Sequence, residues 1–254
     1  MDPESDQLSL PCDVDPESGN ELLGMRFHNV LSVKDMDYIL DLWDAFLATN
    51  PKHSSTSKDA NRSSSGEGAF HFGLFQCNTD FPALTADSRN QSPETLTAID
   101  KLLCAVKRIL LPKIDALNKE HFPNHHKRMQ KVRLYVLDEQ GELLARRLAL
   151  VFLGVCTAIA VKEGASDSVH IDFHDPKQGI AWVVPIGDWV GSTLSLPQLG
   201  DDSHACEFEI RPREIFAFPA RRLAHAVKPP TKGRRLALTF FTHGNTVNYA
   251  LRRY

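Results

Sequence analysis

Residues 168–190 read SVHIDFHDPKQGIAWVVPIGDWV, and this stretch decides which fold the chain is expected to adopt. It contains two short runs rich in Val, Ile and Trp, separated by Pro and Gly, which is typical of strands joined by a turn. Similar runs lie on either side of it: RLYVLD (133–138), LALVFLGVCTAIAV (148–161), FEIRP (208–212), EIFAFPA (214–220) and RRLALTFFTH (234–243). The pattern predicts an all-β barrel or jelly roll over about residues 130–248.

The part of the chain before this region has helical periodicity. Apolar residues recur at helical spacing between residues 33 and 49, directly after Ser32, a candidate N-cap. A second helix is predicted to begin at Ser92 and Pro93, and Pro112 should kink it or split it in two. We therefore expect an α+β fold, with a helical front over about residues 32–122.

Composition limits the domain organisation and the cellular setting. The acidic residues 1–20 are predicted to be a disordered tail, and residues 21–254 a single domain. The Ser-rich and Gly-rich residues 53–68 predict a mobile loop, either a plain flexible insertion or a cover for the substrate. No secretory signal is evident, the longest apolar run has 14 residues, and five widely spaced cysteines favour neither disulfides nor zinc. We expect an intracellular protein without a membrane span.

The segment HID at residues 170–172 suggests a metal site. Two residues separated by one position share a face of a strand, so the side chains of His170 and Asp172 would point at the same ion. His225 follows the run EIFAFPA and would bring the third ligand from a distant strand. Two imidazoles and one carboxylate form the triad that holds Fe(II) and leaves three positions open. The predicted metal ligands are His170, Asp172 and His225.

A cation follows the third ligand at a fixed distance. Arg235 lies ten residues after His225 and opens an apolar strand, where Arg234 and Arg235 must point to opposite faces. Arg235 shares its face with Ala237, Thr239 and Phe241, and is expected to hold the far carboxylate of 2-oxoglutarate. That co-substrate and O2 would fill the open metal positions. Arg234 is expected to be exposed, where it could meet a phosphate.

Four segments together resemble the TET/JBP family of nucleic-acid base dioxygenases: VHIDFHD (169–175), GIAWVVPIGDWVGSTLSLPQLG (179–200), RPREIFAFPARRLAHAV (211–227) and KGRRLALTFFTHGN (232–245). The resemblance covers about residues 130–248 and implies a double-stranded β-helix (jelly-roll) dioxygenase core that uses Fe(II), 2-oxoglutarate and O2. It also implies that Asp175 and His243 contact the Watson–Crick edge of a flipped cytosine. Ser192 stands where the family usually has a second glycine, and Asn78 is the candidate for a third base contact.

The substrate that the resemblance implies is 5-methylcytosine in DNA. The product would be 5-hydroxymethylcytosine, with further oxidation to 5-formylcytosine and 5-carboxylcytosine as an extension, and the protein would act in the nucleus as a monomer. The candidates for stacking on the flipped base are Phe72, Phe173 and Phe241. Because the net charge is −3, phosphate contacts would have to come from local clusters: residues 125–133, Arg221 with Arg222, and Lys228 to Arg234.

Three alternatives remain open from the sequence. The same fold could demethylate N6-methyladenine in DNA or a methylated RNA base, since an aspartate can equally face an exocyclic amine. A catalytically silent methyl-DNA-binding module would need no turnover, although an intact triad with Arg235 weighs against it. A protein prolyl or lysyl hydroxylase would share the metal site but would not call for Asp175 with His243.

Overall fold

The computed structural model describes residues 5–10, 21–53, 68–199 and 205–254. The helices are α1 (Val33–Leu47), α2 (Ala86–Arg89), α3 (Pro93–Ile109), α4 (Leu111–His121), α5 (Pro123–Arg146) and α6 (Gly244–Arg253). The strands are β1 (Ser5–Leu10), β2 (Glu21–Phe27), β3 (Phe70–Phe75), β4 (Ala83–Leu84), β5 (Ala158–Glu163), β6 (Ala181–Val190), β7 (Thr193–Leu196), β8 (Cys206–Glu209), β9 (Ile215–Phe218), β10 (Ala226–Val227) and β11 (Lys232–Phe241). Short 3-10 helices span Leu148–Leu150 and Pro197–Leu199.

Two antiparallel sheets form the β part of the molecule. The larger sheet has eight strands in the order β1-β2-β9-β6-β11-β5-β3-β4, and the smaller has three in the order β10-β7-β8. Strands that are distant in sequence are therefore neighbours in space, as in a jelly roll. The predicted α+β fold with a jelly-roll core and N-terminal helices is confirmed.

The larger sheet has two apolar faces, which separate by the period-two alternation of its strands. In β11, Leu236, Leu238 and Phe240 are buried in the core that the sheet shares with the helices. The intervening residues Ala237, Thr239 and Phe241 point the other way and line a cavity. One side of the sheet thus anchors the helical layer, and the other is available for a site.

The helical layer begins and breaks where the sequence predicts. The Ser32 hydroxyl accepts from the Asp35 N–H at the start of α1, and Ser92 caps α3 in the same way, with Pro93 in its first turn. Helix α3 ends before Leu110 and α4 starts at Leu111, so Pro112 splits the predicted second helix.

One predicted strand is wrong, and it moves the boundary between the helices and the β core. Residues 133–138, predicted as a strand, lie inside α5. Among the buried residues of that helix, Met129, Val132 and Val136 are three and four positions apart, which is helical spacing. The helical front therefore continues to Arg146 instead of ending near residue 122, and only the end of the predicted strand 148–161 is part of β5.

The larger sheet also recruits strands from outside the predicted β region. Strand β2 pairs with β9 through Met25–Phe27, and β3 pairs with β5, although both come before residue 130. Within the tail predicted to be disordered, Ser5–Leu10 form β1 at the sheet edge, paired with β2. Residues 54–67, nearly all of the predicted mobile loop, lie outside the described residues.

Candidate active site

A cavity of about 690 Å³ lies on the face of the larger sheet that is turned away from the helices. Strands β5, β6, β9 and β11 of that sheet contribute its lining, and Leu194 and Val227 of the smaller sheet also reach it. Six of the seven residues predicted to form a site line this cavity: His170, Asp172, Asp175, His225, Arg235 and His243.

The segment that carries His170 and Asp172 is held by backbone contacts with the chain around His225. The N–H of His170 donates to the His225 carbonyl at 3.0 Å, and the reciprocal bond is 2.9 Å. Two residues later, the Asp172 N–H donates to the Ala220 carbonyl at 2.9 Å. Beyond this single bridge the segment forms a turn, so the prediction that the motif lies on a strand is wrong. The side chains converge because of pairing across the chain and not because of strand alternation.

The three predicted metal ligands form one compact group. Their ligand atoms all lie within 4.8 Å of one another. The Asp172 carboxylate is 4.0 Å from His170 Nε2 and 3.9 Å from His225 Nε2, measured to its two different oxygens. Within the described part of the chain, this is the one such group of His, Cys, Asp or Glu.

The hydrogen bonds of the two histidines leave the nitrogen that faces Asp172 able to bind a metal. Nδ1 of His170 contacts the Ser168 carbonyl at 2.8 Å, and Nδ1 of His225 contacts the Leu223 carbonyl at 2.9 Å. A carbonyl oxygen only accepts, so each Nδ1 carries the proton and each Nε2 presents a lone pair. Metal-binding histidines are usually oriented in this way. The donor set and its tautomers therefore fit a divalent transition metal such as Fe(II).

Arg235 places an almost completely buried positive charge in the same cavity. Its side chain is 3% exposed. Nη1 donates to the Gly164 carbonyl at 2.7 Å, whereas Nε has no hydrogen-bond partner, and no ion pair of Arg235 occurs within the described residues. Burial lowers the pKa of the Arg235 guanidinium to about 10, so the group is still charged at neutral pH. A buried cation without a carboxylate is costly, and an anionic ligand would remove that cost.

The strand behind Arg235 approaches closely at a glycine. Gly187 of β6 is the register partner of Arg235 in β11, and its φ is +126, in the range that favours glycine. A Cβ at Gly187 would lie 2.2 Å from the Arg234 carbonyl oxygen. Glycine is therefore required for the close pairing that fixes the backbone of Arg235.

Asp175 is held in a tight turn next to the metal ligands. Its N–H donates to the Asp172 carbonyl at 3.0 Å, and its own carbonyl accepts from Arg221 Nη1 at 2.7 Å. The residue is buried and lines the cavity. Arg221, predicted as a phosphate contact, thus fixes the turn that carries Asp175.

His243 presents a proton donor to the cavity. Its Nδ1 accepts from the Asn245 N–H at 3.3 Å and caps α6, which places the proton of the neutral ring on Nε2. Nε2 is buried and has no hydrogen-bond partner within the described residues. Burial, and secondarily the stacked ring of His174, lowers the pKa of His243, so the neutral form is favoured.

Other predicted residues lie elsewhere. Asn78 is exposed and is absent from the cavity lining, so the structure does not bring it to the other site residues. Phe72 is fully buried against Phe46 on the helical side, so it is not available to stack on a ligand, whereas Phe173 and Phe241 line the cavity.

Two of the predicted phosphate contacts are engaged with acids. Arg234 is ion-paired with Asp44 and Glu163, and Lys228 with Glu207. In the 125–133 cluster, His125 is buried, and its two ring nitrogens are used by Asn118 and the Ile180 N–H.

Several cavity residues were not predicted from the sequence. His71 of β3, Asp87 of α2 and Lys162 of β5 all line the cavity. For Lys162 a signal existed, because it is two positions from Ala160 on a strand whose alternate residues face inward. His71 and Asp87 reach the cavity only through the pairing of β3 with β5, which no local pattern indicates.

Of the helices in the described residues, none combines the length and the apolar composition needed to cross a bilayer.

No protein-family model matches the sequence, and no curated protein is similar enough to match it. Among solved structures, the chain is similar to NgTET1 in complex with 5mC DNA, with a TM-score of 0.54 and 15% identity, covering 89% of this chain and 74% of that chain. Weaker similarity is found to a Pseudomonas putida prolyl-4-hydroxylase (TM-score 0.40, 12% identity, 86% and 91% coverage). An oxidoreductase of the 2OG-Fe(II) oxygenase family from Burkholderia pseudomallei gives a TM-score of 0.38 at 13% identity, with 80% and 77% coverage. The chain therefore shares its fold, a jelly roll with added helices, with NgTET1.

Proposed function

We propose that this protein is an Fe(II)- and 2-oxoglutarate-dependent dioxygenase that oxidises the methyl group of 5-methylcytosine in DNA. The observation that carries the proposal is that three different groups line one cavity: a His-Asp-His cluster, a buried arginine that has no acidic partner among the described residues, and the Asp175 carboxylate together with the imidazole N–H donor of His243. Similarity of fold to NgTET1, a structure solved with 5mC DNA, is in accord with this substrate.

The chemistry of the reaction would come from the bound iron and its co-substrates. With them, 2-oxoglutarate and O2 become succinate and CO2, and one oxygen atom enters the methyl group as a hydroxyl. His170, Asp172 and His225 would hold the metal through two Nε2 lone pairs and a carboxylate oxygen. Arg235 would bind the far carboxylate of 2-oxoglutarate with guanidinium N–H groups that the described residues leave unused.

The base preference follows from the polarity of Asp175 and His243. The Asp175 carboxylate accepts, and the His243 Nε2–H donates. Cytosine offers a matching pattern, with a donor at its exocyclic amino group and acceptors at N3 and O2. Thymine has an oxygen acceptor in place of the amino group, which would face the carboxylate unfavourably. This pair therefore supports cytosine over thymine.

The same pair argues against N6-methyladenine, although adenine presents a similar edge. In N6-methyladenine the carbon to be oxidised is attached to the exocyclic nitrogen that Asp175 would hold. In 5-methylcytosine the methyl group is on C5, outside the edge that Asp175 and His243 would bind. Phe241 lines the cavity, and its ring lies 5.6 Å from that of Phe75, which offers an apolar surface against which a flipped base can stack.

The test is nucleoside mass spectrometry after incubation with Fe(II), 2-oxoglutarate and oligonucleotides that carry 5-methylcytosine or N6-methyladenine, in DNA and in RNA. We expect 5-hydroxymethylcytosine from DNA and no product with His170→Ala. Loss of the adenine methyl group instead would show that the substrate is N6-methyladenine. Absence of any product would refute base oxidation and favour a binding module or an enzyme that acts on protein.

The role of Asp175 is tested with Asp175→Ala, and Asp188→Ala serves as the matched control because Asp188 is an exposed carboxylate on β6. Asp175→Ala should bind iron as the wild type does, measured by metal analysis, but oxidise 5-methylcytosine at least about tenfold more slowly, as expected for the loss of one charged hydrogen bond. The control should change neither quantity. Unaltered cytosine oxidation in Asp175→Ala would refute the base-reading role.

A further inference from the structure

One aromatic side chain at the cavity rim is exposed to an unusual degree. Phe173 directly follows the metal ligand Asp172 and lines the cavity, yet it is 67% exposed, more than any other large apolar side chain in the described part of the chain. Leaving a phenyl ring in water costs free energy that burial would recover. An aromatic ring at the mouth of a site offers a large apolar contact area to a ligand or partner.

The backbone around Phe173 holds this side chain in place. The Phe173 N–H donates to the Ile171 carbonyl at 3.1 Å. On the other side of Phe173 in the chain, the His174 carbonyl accepts from the Gly244 N–H at 2.6 Å. Arg221 binds the carbonyl of Asp175. The ring is therefore presented by a turn that is tethered on both sides, and its exposure is a property of the fold.

The charge around the turn indicates the chemistry of the partner. Lys177 lies two residues after Asp175 and is exposed, as is Arg222, which adjoins the Arg221 that holds the turn. Arg128 of α5 also reaches the turn region, where it donates to the side chain and the carbonyl of Gln178. Cations around an exposed aromatic ring suit a nucleic acid, which offers phosphates and the faces of its bases.

We infer that Phe173 enters the base stack of duplex DNA in the position that the target base vacates. The inference rests on the proposed function, because a base bound between Asp175 and His243 must leave the duplex through the rim at which Phe173 stands. Extrusion of a base costs roughly a few kcal/mol, and stacking of an apolar side chain into the gap offsets part of that cost. Phe173 thus favours a duplex substrate and has no role on a single strand.

The experiment compares wild-type protein with Phe173→Ala and Phe173→Trp. Leu148→Ala is the matched control, because Leu148 is 64% exposed and lies on the short helix Leu148–Leu150, away from the cavity. Oxidation of 5-methylcytosine is measured on a duplex and on the same sequence as a single strand. Binding is measured separately by fluorescence anisotropy, with a fully paired duplex and with one that contains an abasic site, where the gap already exists.

Phe173→Ala should lower oxidation of the duplex by about tenfold and leave the single strand within about twofold, because only the duplex has a stack to enter. The wild type should bind the abasic duplex more tightly than the paired one, Phe173→Ala should lose this preference, and Phe173→Trp should keep it. The control should behave as the wild type.

The two proposals fail in different ways. If no base is oxidised but the preference for the abasic duplex depends on Phe173, the proposed reaction is wrong and the inference stands. If cytosine is oxidised and Phe173→Ala changes duplex and single strand equally, or changes neither, the inference is overturned. Absence of any preference for the abasic duplex in the wild type would overturn it as well.

Discussion

Two buried arginines of this protein have opposite environments. Arg26 of β2 binds the Glu214 carboxylate from Nε at 3.1 Å and from Nη2 at 2.9 Å, and Nη2 also donates to the Glu209 carbonyl at 2.7 Å. Arg235 is equally buried, but the one hydrogen bond of its side chain within the described residues is the one to Gly164. The fold itself supplies the anion for Arg26, whereas the described residues supply none for Arg235. The difference separates a structural cation from a ligand-binding one.

The same contrast holds for two buried histidines. Both ring nitrogens of His125 have partners, the Asn118 side chain and the Ile180 N–H. His243 uses Nδ1 as a helix cap and leaves Nε2 without a partner in the described residues. Buried polar groups are normally satisfied, and Arg235 Nε and His243 Nε2, which are not, belong to residues that line the same cavity, so they indicate a ligand there.

Glu214→Ala should have the largest effect on stability. It leaves the Arg26 charge buried without its carboxylate, and removal of one partner of a buried ion pair costs about 3–5 kcal/mol in the free energy of unfolding. Urea unfolding measures the change. The control is Glu209→Ala, whose ion pair with Arg211 is exposed and whose loss should cost little. Equal losses in the two variants would show that the buried pair of Arg26 with Glu214 contributes no more to stability than an exposed ion pair.

Arg235→Met should weaken 2-oxoglutarate binding about 100-fold, as expected from the loss of a charged, bidentate contact. The free energy of unfolding should be unchanged or higher without ligand, because the variant buries no unpaired charge. Calorimetric titration with 2-oxoglutarate and thermal unfolding with and without it measure the two quantities. A variant that binds 2-oxoglutarate normally would place the carboxylate site elsewhere.

His125→Gln should reduce the acid sensitivity of folding. Burial, with smaller contributions from Arg128 and His126, lowers the pKa of His125 from 6.5 to about 3. In the unfolded chain His125 therefore binds a proton below about pH 6.5, whereas in the folded chain it stays neutral down to about pH 3. The free energy of unfolding falls as the pH falls through that window. At about 1.4 kcal/mol per pH unit, the wild type should lose about 2 kcal/mol between pH 6.5 and pH 5 relative to the variant.

The measurement for His125 is urea unfolding of both proteins at pH 7 and pH 5. If the free energy of unfolding depends on pH in the same way in both proteins, His125 is protonated in the folded state and its pKa is not lowered by burial.

Arg234→Ala should have the smallest effect. Its ion pairs with Asp44 and Glu163 are partly exposed, and such pairs contribute about 1 kcal/mol or less. Arg234 also lowers the pKa of the Asp44 carboxyl, which should return towards its ordinary value in the variant, as carboxyl NMR titration would detect. Binding of 2-oxoglutarate should be unaffected. A loss as large as that in Arg235→Met would mean that the two neighbouring arginines had been assigned to the wrong faces.

Predictions from local sequence patterns fail where contacts between distant segments decide the structure. The run 133–138 has strand-like composition, yet Val132, Tyr135 and Val136 pack at helical spacing against the rest of the core, and tertiary packing overrides β-propensity. Strands β2 and β3 pair with β9 and β5, which are distant in sequence, and no local pattern can reveal such pairing. No strand alternation or spacing constrains the position of Asn78, and it lies outside the cavity.

The elements with strong local signals could be predicted from residue order alone. These were the capped helices α1 and α3, the break at Pro112, and the alternation along β11 that sends Arg235 and Arg234 to opposite sides. The sequence also determined which side chains could form a metal and carboxylate site, because residue type and order carry that chemistry. Local rules suffice here because capping, proline geometry and strand alternation act over a few residues.

How these side chains meet depends on contacts between segments that are distant in sequence. The isolated bridge between His170 and His225 brings the ligands together outside any regular strand, although a strand is predicted there, and the contacts of the ring nitrogens set the tautomers. The absence of an acid beside Arg235 within the described residues, and the outward position of Phe173, depend on neighbours that are far apart in the chain. Burial and pairing are long-range properties, so the groups left unsatisfied for a ligand become visible only when the chain is folded.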